Sequence, residues 1–176
     1  MKKFILFFTI VLSFAQIDAQ EKAMWNKVSQ EKVSRLERIK KTSYSENQQF
    51  YTLNIDVLRK KLSVAKTQRS GLSNTVIEFP TANGEFEKFQ VWENSNFAPE
   101  LQQKYPNIRA YVGRSISNKT TTINFSLSPR GIQTMILKAD NNSEFIEPAS
   151  REGELYILFD SKTRVSEKLS FVCKTI

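Results

Sequence analysis

From Thr75 onward, apolar and polar residues alternate in short runs that turn residues separate. Alternation with a period of two is typical of β-strands that bury one face. We expect seven strands in this part of the chain: Thr75–Phe79, Phe86–Glu93, Ile108–Ser115, Thr120–Ser126, Gly131–Lys138, Glu144–Glu147 and Glu154–Asp160. Many short strands with frequent turns predict a mainly β fold, either a sandwich or a barrel.

Turn chemistry supports this division into strands. Ala82–Gly84, Pro129–Gly131 and Asp140–Ser143 contain the Asn, Asp, Pro and Gly residues that tight turns favour. One helical span, Ala98–Tyr105, interrupts the strands, and Pro99 stands in its first turn, where proline is well accommodated. We therefore predict a β-rich body with one short helix inside it.

Before residue 75 the apolar positions have mostly the spacing of helices. In Glu21–Lys41 they fall on about half of a helical wheel, and Lys and Arg fill the remainder. We predict an N-terminal amphipathic helix there. Phe50–Ile55 alternates like a strand, and Asp56 is a candidate N-cap for a short helix that reaches Ala65. Lys66–Asn74 has the composition of a linker.

The first twenty residues have the order of a secretory signal. Met1–Lys3 is basic, Phe4–Phe14 is apolar, and small residues follow up to a cleavage site that we place after Ala19. The apolar run is eleven residues long, shorter than the roughly 20 that cross a bilayer as a helix. We expect an exported protein, in the periplasm or outside the cell, without a transmembrane segment; a retained N-terminal anchor is the alternative.

Charge divides the chain after the signal into two parts. Residues 20–69 hold twelve Lys and Arg against five Asp and Glu, whereas residues 70–176 hold twelve of each. We therefore predict a signal peptide over 1–19, a basic helical leader over 20–69 and a β-rich domain over 70–176. The basic leader has three interpretations: a solvated helix face, an anchor for anionic surfaces, or a dock for an acidic partner. We expect no nucleic acid among the partners, because the leader's aromatic residues lie on apolar faces.

The sequence contains no histidine. This absence excludes the Ser-His-Asp and Cys-His hydrolases and any zinc site with imidazole ligands from this chain alone. The carboxylates Glu85, Glu87 and Glu93 have the residue type of a glycosidase pair, but Glu85 and Glu87 flank Phe86 and fit the solvated face of a strand. We expect a protein that is not an enzyme.

Cys173 is the single cysteine, so the chain cannot form an internal disulfide. An unpaired thiol in an exported protein pairs with another chain, binds a metal or is buried by chance. The residues of the chain alone leave these alternatives open.

The body carries an ordered series of short motifs: Phe79–Val91, Phe97–Leu101, Tyr105–Gly113, Thr122–Phe125, Ser128–Gly131, Phe145–Pro148 and Tyr156–Phe159. This series resembles the N-terminal propeptide region of bacterial reprolysin-like (adamalysin-type) zinc metalloproteases. The likeness extends from about Phe50 to Cys173, and it depends on the order of the motifs, since no single one is diagnostic.

In that family the propeptide precedes a catalytic domain with a zinc-binding HExxH helix, keeps the enzyme latent and assists its folding. The resemblance implies the same regulatory role here, with the catalytic domain as partner in cis or in trans. It implies no protease activity and no cofactor bound by this chain alone, because the sequence contains no HExxH segment.

The resemblance also gives Cys173 a role as ligand to the partner's catalytic zinc. Its thiolate would fill the open coordination position and displace the activated water, and Lys174 beside it favours the thiolate. A free cysteine without this role is the other interpretation. Two further functions stay open: an exported binding module for a surface glycan or protein, and a truncated protease fragment without activity.

Overall fold

The computed structural model describes residues 23–29, 33, 48–140, 142–150 and 153–162. Within these residues all nine strands belong to one antiparallel sheet, in the order β1-β2-β9-β8-β7-β6-β5-β4-β3. The strands are β1 Trp25–Val28, β2 Gln49–Leu53, β3 Val76–Pro80, β4 Phe86–Glu93, β5 Arg109–Ser115, β6 Thr122–Ser128, β7 Gly131–Leu137, β8 Ser143–Pro148 and β9 Leu155–Asp160. The sheet curls into a nearly closed barrel.

The alternation of residues along the strands places the core on the inner face of the barrel. In β6, for example, Ile123, Phe125 and Leu127 are buried while the residues between them are half-buried. The indole of Trp25 lies at the centre of this core, with ring centroids 5.6 Å from Tyr156, 6.1 Å from Phe79 and 6.3 Å from Tyr51. Strands at the two ends of the sheet thus share one apolar interior.

Two short helices accompany the sheet. Helix α1, Ile55–Leu62, follows β2, and its buried residues Leu58 and Leu62 belong to the inner core. Helix α2, Pro99–Lys104, connects β4 to β5 and buries none of its residues. A 3₁₀ turn, Gln68–Ser70, lies in the connection between α1 and β3.

A second apolar cluster lies on the outer face around β9. Leu155, Ile157 and Phe159 point away from the core, yet Val33 and Phe50 pack with them and all five are buried. Strand β9 is therefore covered on both faces, which explains why its sequence is a continuous apolar run.

The structure confirms the mainly β fold and each of the seven strands predicted after Thr75, with boundaries that differ by up to two residues. Of the two predicted architectures it forms the barrel, since the described strands make one sheet. The short helical span around Pro99 is confirmed as α2. The predicted N-cap Asp56 is wrong: Asn54 caps α1, because its side-chain oxygen accepts from the Val57 N–H at 3.3 Å.

The amphipathic helix predicted over Glu21–Lys41 is wrong at its beginning. Trp25–Val28 forms β1, which pairs with β2 and thereby buries Trp25 in the core. Tertiary packing thus overrides a helical spacing of apolar residues, because helix propensity is a weak preference. The rest of the predicted helix lies outside the described residues, apart from Val33, which is helical and buried.

The charge boundary at residue 70 does not coincide with a structural one. Strands β1 and β2 and helix α1, all from residues 20–69, lie in the same sheet and core as the strands that follow. Strand β2 pairs with β9, from the other end of the chain. The basic leader therefore supplies two strands of the barrel.

Candidate functional site

The outer face of the barrel carries a depression across strands β4 to β8, which we call the outer groove. It consists of two adjoining cavities of about 410 and 440 Å³ that share Val112 and Asn124. Its chemistry depends on six lining residues: Trp92, Arg114, Asn124, Gln133, Phe145 and Glu147. Because the core fills the inside of the barrel, this groove lies on the side of the sheet that the fold leaves for other molecules.

Strand register explains why the groove forms. One row of outward-facing residues crosses five neighbouring strands, where Trp92 pairs with Val112, Val112 with Asn124, Asn124 with Met135, and Met135 with Phe145. The smaller side chains lie in the middle of this row, on β5 and β6, and the larger ones lie at its ends. The middle of the face is consequently lower than its margins.

The polar groups of the groove are mainly amides. Asn94, Asn96, Asn124 and Gln133 line the first cavity, and each carboxamide offers both a donor and an acceptor. Arg114 lies in the second cavity and Glu147 in the first, so the groove has opposite charges in its two parts. This set of groups suits noncovalent recognition of a neutral ligand rich in hydrogen-bonding groups, such as a polypeptide backbone or a sugar.

Two aromatic residues of the groove are held in place. The indole N–H of Trp92 donates to the Gly71 carbonyl at 2.7 Å, and the Phe145 ring stacks on Phe159 with centroids 5.4 Å apart. Their rings therefore offer fixed apolar surface at the margins of the groove.

An exposed apolar stripe adjoins the groove beside Asn96. Phe97, Leu101 and Tyr105 are spaced four residues apart through α2, and all three are exposed. This spacing places them on one side of the helix. The stripe adds apolar contact area next to the amides, a combination that is typical of protein-binding surfaces.

The three carboxylates considered for catalysis have separate partners. Glu85 accepts from Asn83 Nδ2 at 3.2 Å, Glu87 from Ser117 Oγ at 3.4 Å, and Glu93 forms an ion pair with Arg109. Each partner is itself a different residue on a different turn or strand. The contacts of these carboxylates thus have a structural role.

A buried ion pair lies at the edge of the barrel. Glu144 is only 1% exposed and pairs with Lys138 Nζ, while its second oxygen accepts from the Ala82 N–H at 3.1 Å. The Ala82 carbonyl in turn accepts from Gln49 Nε2 at 2.7 Å. These contacts tie the β3–β4 turn to β2 and β8, and hence they hold the barrel in its curved form.

Three buried tyrosines have perturbed ionisation. Burial raises the pKa of Tyr111 to about 12; the nearby Glu93 raises it further and Arg109 lowers it. Burial also raises the pKa of Tyr51 and of Tyr156. Because a raised pKa keeps the phenol neutral, these groups are suited to packing in the core.

Metal ligands and membrane segments have a limited outcome. No group of three or more His, Cys, Asp or Glu residues that would hold a metal ion occurs in the described part of the chain. Cys173, the predicted ligand to a partner's zinc, lies outside the described residues, as do Lys174 and the signal sequence. None of the helices in the described ranges is long and apolar enough to span a membrane.

The comparisons with known proteins gave no match. No family model matches the chain, and neither the curated proteins nor the solved structures contain a significant relative. The sequence did not predict the outer groove, since the groove depends on which residues face each other across five strands. Small outward-facing residues such as Ala110 and Ser126 on consecutive strands are the signal that could have indicated it.

Proposed function

We propose that this chain is a non-catalytic, propeptide-like domain that binds a reprolysin-type zinc metalloprotease, keeps it latent and assists its folding. The observation that carries the proposal is the outer groove, a surface rich in amides and flanked by fixed aromatic rings and an exposed apolar stripe. Surfaces of this composition bind other proteins. The link to a metalloprotease comes from the resemblance of the ordered motifs.

The resembling motifs coincide with the strands that build this surface. Phe79–Val91 covers most of the β3–β4 hairpin, Tyr105–Gly113 leads into β5, and Thr122–Phe125 lies in β6. Phe145–Pro148 and Tyr156–Phe159 lie in β8 and β9. The likeness therefore concerns the part of the chain that carries the groove.

In this proposal Cys173 supplies the latent state. Its thiolate takes the open position on the partner's zinc and so removes the water that would attack the substrate. Asp160 ends β9, and Cys173 follows it by thirteen residues. A fully extended chain of that length spans about 45 Å at roughly 3.3–3.6 Å per residue, which is enough to pass from the barrel to a neighbouring active site.

Inhibition measurements test both parts of the proposal. Residues 20–176 are titrated into an active reprolysin-like catalytic domain, and hydrolysis of a peptide substrate is followed. We expect full inhibition by the natural sequence and at least tenfold weaker inhibition by Cys173→Ala. Equal inhibition by both would contradict the zinc-ligand role, and an absence of inhibition by either would contradict the latency role.

Groove variants test where the catalytic domain binds. Asn124→Ala combined with Gln133→Ala removes two amides, and we expect binding to weaken by about tenfold to a hundredfold, at about 1 kcal/mol for each hydrogen bond. Asn26→Ala is the matched control, because Asn26 is an exposed amide on β1, far from the groove in the sheet order. Equal binding by the double variant and the control would exclude the groove.

The same lining gives a second candidate function, binding of a surface glycan. Amides beside exposed aromatic rings are also typical of sugar sites, because carboxamides satisfy hydroxyl groups in both directions. Titration of the protein with neutral oligosaccharides, followed by the change in Trp92 fluorescence, separates the two functions. Saturable binding that Asn124→Ala weakens, without any binding to the catalytic domain, would favour the glycan.

A further inference from the structure

The two end strands of the sheet, β1 and β3, approach each other across a seam that no described backbone hydrogen bond closes. The sheet order ends with β1 on one side and β3 on the other, and no pairing links them among the described residues. Each of these strands thus has one edge whose backbone groups lack a strand partner in the described part of the chain.

The register of β3 shows which groups face the seam. The Thr75 carbonyl accepts from Val91 and the Thr81 N–H donates to Glu85, so Thr75, Ile77, Phe79 and Thr81 direct their backbone groups toward β4. The alternate residues, Val76, Glu78 and Pro80, direct theirs toward the seam. The seam-facing edge of β3 therefore offers two N–H groups and three carbonyls.

The same reasoning applies to β1. The Met24 carbonyl accepts from the Asn54 N–H at 2.8 Å, which places Met24, Asn26 and Val28 in hydrogen-bonded register with β2. Trp25 and Lys27 consequently face the seam. Backbone donors and acceptors thus line both of its sides.

Side chains close only part of the seam. The indole N–H of Trp25 donates to the Glu78 carbonyl at 3.0 Å, and Gln49 Nε2 donates to the Ala82 carbonyl beyond the end of β3. At the other end, near Val76, the seam widens into a cavity of about 410 Å³ lined by Met24, Val57 and Val76. The opening therefore lies at the start of β3.

We infer that this opening accepts an extended polypeptide segment, which adds to the seam-facing edge of β3 as a further strand. The inference rests on the proposed function, and it assigns the segment to the metalloprotease catalytic domain. Backbone groups at every second residue recur at about 6.6–6.8 Å, a spacing that an extended chain matches. Addition of a strand to an open edge is a common mode of peptide recognition.

The pattern of protected and unprotected positions supports this assignment. Natural sheet edges are commonly blocked by proline or by charged residues. Pro80 removes a donor at one end of the edge of β3, and Lys27 lies opposite on β1. Val76 carries no such block and is 40% exposed. The unblocked position coincides with the widened end of the seam.

Amide hydrogen exchange tests the inference directly. In the free protein we expect fast exchange at Val76 and Glu78 and slow exchange at Ile77 and Phe79, which bond to β4. Addition of the reprolysin-like catalytic domain should slow exchange at Val76 and Glu78 by at least tenfold.

A proline variant provides the matched test. Val76→Pro removes one seam-facing N–H and leaves the bonds to β4, as Pro80 already does in the same register. We expect unchanged thermal stability and about tenfold weaker binding to the catalytic domain, the effect of one hydrogen bond with its local contacts. Val76→Thr keeps the N–H and should bind like the natural sequence.

The outcomes separate the inference from the proposed function. A complex with unchanged exchange at Val76 and Glu78 overturns the strand site and leaves the function standing, whereas the absence of any complex overturns both. Slow exchange at these amides in the free monomer means that another segment of this chain fills the seam. A concentration-dependent dimer with the same protection means that a second copy fills it, and either result overturns the assigned occupant.

Discussion

Gly131 begins β7 directly against the hydroxyl of Tyr156. A Cβ at this position would lie 2.3 Å from Tyr156 Oη, and the φ of +104° is a conformation that favours glycine. Tyr156 is fully buried and its hydroxyl accepts from the Ile132 N–H at 3.3 Å, so the ring has little room to move. Sequence analysis identified Gly131 as a turn residue, but the contact with Tyr156, 25 residues away, requires the pairing of distant strands.

Substitution of Gly131 tests this contact. We expect Gly131→Ala to lower the free energy of unfolding by about 3 kcal/mol, the combined effect of backbone strain and overpacking. Gly71→Ala is the control, because Gly71 also has a positive φ of +91° but no atom within 4 Å of an added Cβ. Denaturant unfolding should show a loss of only about 1 kcal/mol for the control. Equal losses for both variants would contradict the steric role of Tyr156.

Tyr111 makes stability depend on pH in the alkaline range. Burial raises its pKa from 10.0 to about 12, so the folded state keeps the proton that the unfolded state releases. Its contribution is complete below pH 10 and is lost as the pH rises from 10 to about 12. Unfolding measured between pH 8 and 12 should therefore show a shallower alkaline decline for Tyr111→Phe. Parallel declines in the two proteins would contradict this prediction.

At the scale of elements, the strands after Thr75 were predictable because each alternates regularly and ends in turn residues. The element at Trp25–Val28 was not, because its apolar spacing also fits a helix and its strand form depends on β2. The groove was equally inaccessible to sequence reasoning, since five strands contribute to it. Long-range pairing, which local patterns do not encode, accounts for both failures.

Trp25 links β1 to β3 across the seam, and its replacement tests that link. We expect Trp25→Phe to lower the free energy of unfolding by about 1–2 kcal/mol, because the bond to the Glu78 carbonyl is lost while most of the ring packing remains. Trp25→Ala should cost about 3–5 kcal/mol. Trp92→Phe is the control, since its indole bonds to the exposed Gly71. Denaturant titrations in which Trp25→Phe and Trp92→Phe coincide would contradict the link.

At the scale of the whole molecule, the basic leader and the neutral body form one folded unit. Trp25, Tyr51 and Leu58 of the leader fill the same core as Phe79 and Ile146 of the body. Charge distribution divided the chain at a point where the core is continuous. The difference arises because charge patterns report on surfaces, whereas domain boundaries depend on buried contacts.

A truncated chain tests this unity. Residues 70–176 alone lack β1, β2 and α1, and β9 loses its neighbour in the sheet. We expect this fragment to show no cooperative thermal transition and to bind a hydrophobic dye, while residues 20–176 unfold in one transition. A fragment that unfolds cooperatively and retains dispersed amide signals in NMR spectra would contradict a shared core.

The central claim is that the barrel binds a metalloprotease catalytic domain and holds it inactive. Calorimetric titration of residues 20–176 into a zinc-loaded reprolysin-like catalytic domain measures this most directly, with peptide hydrolysis followed in the same mixtures. The account predicts a complex of one domain with one catalytic domain and a parallel loss of activity as the complex forms. Binding without loss of activity, or no detectable binding at micromolar concentrations, would contradict it.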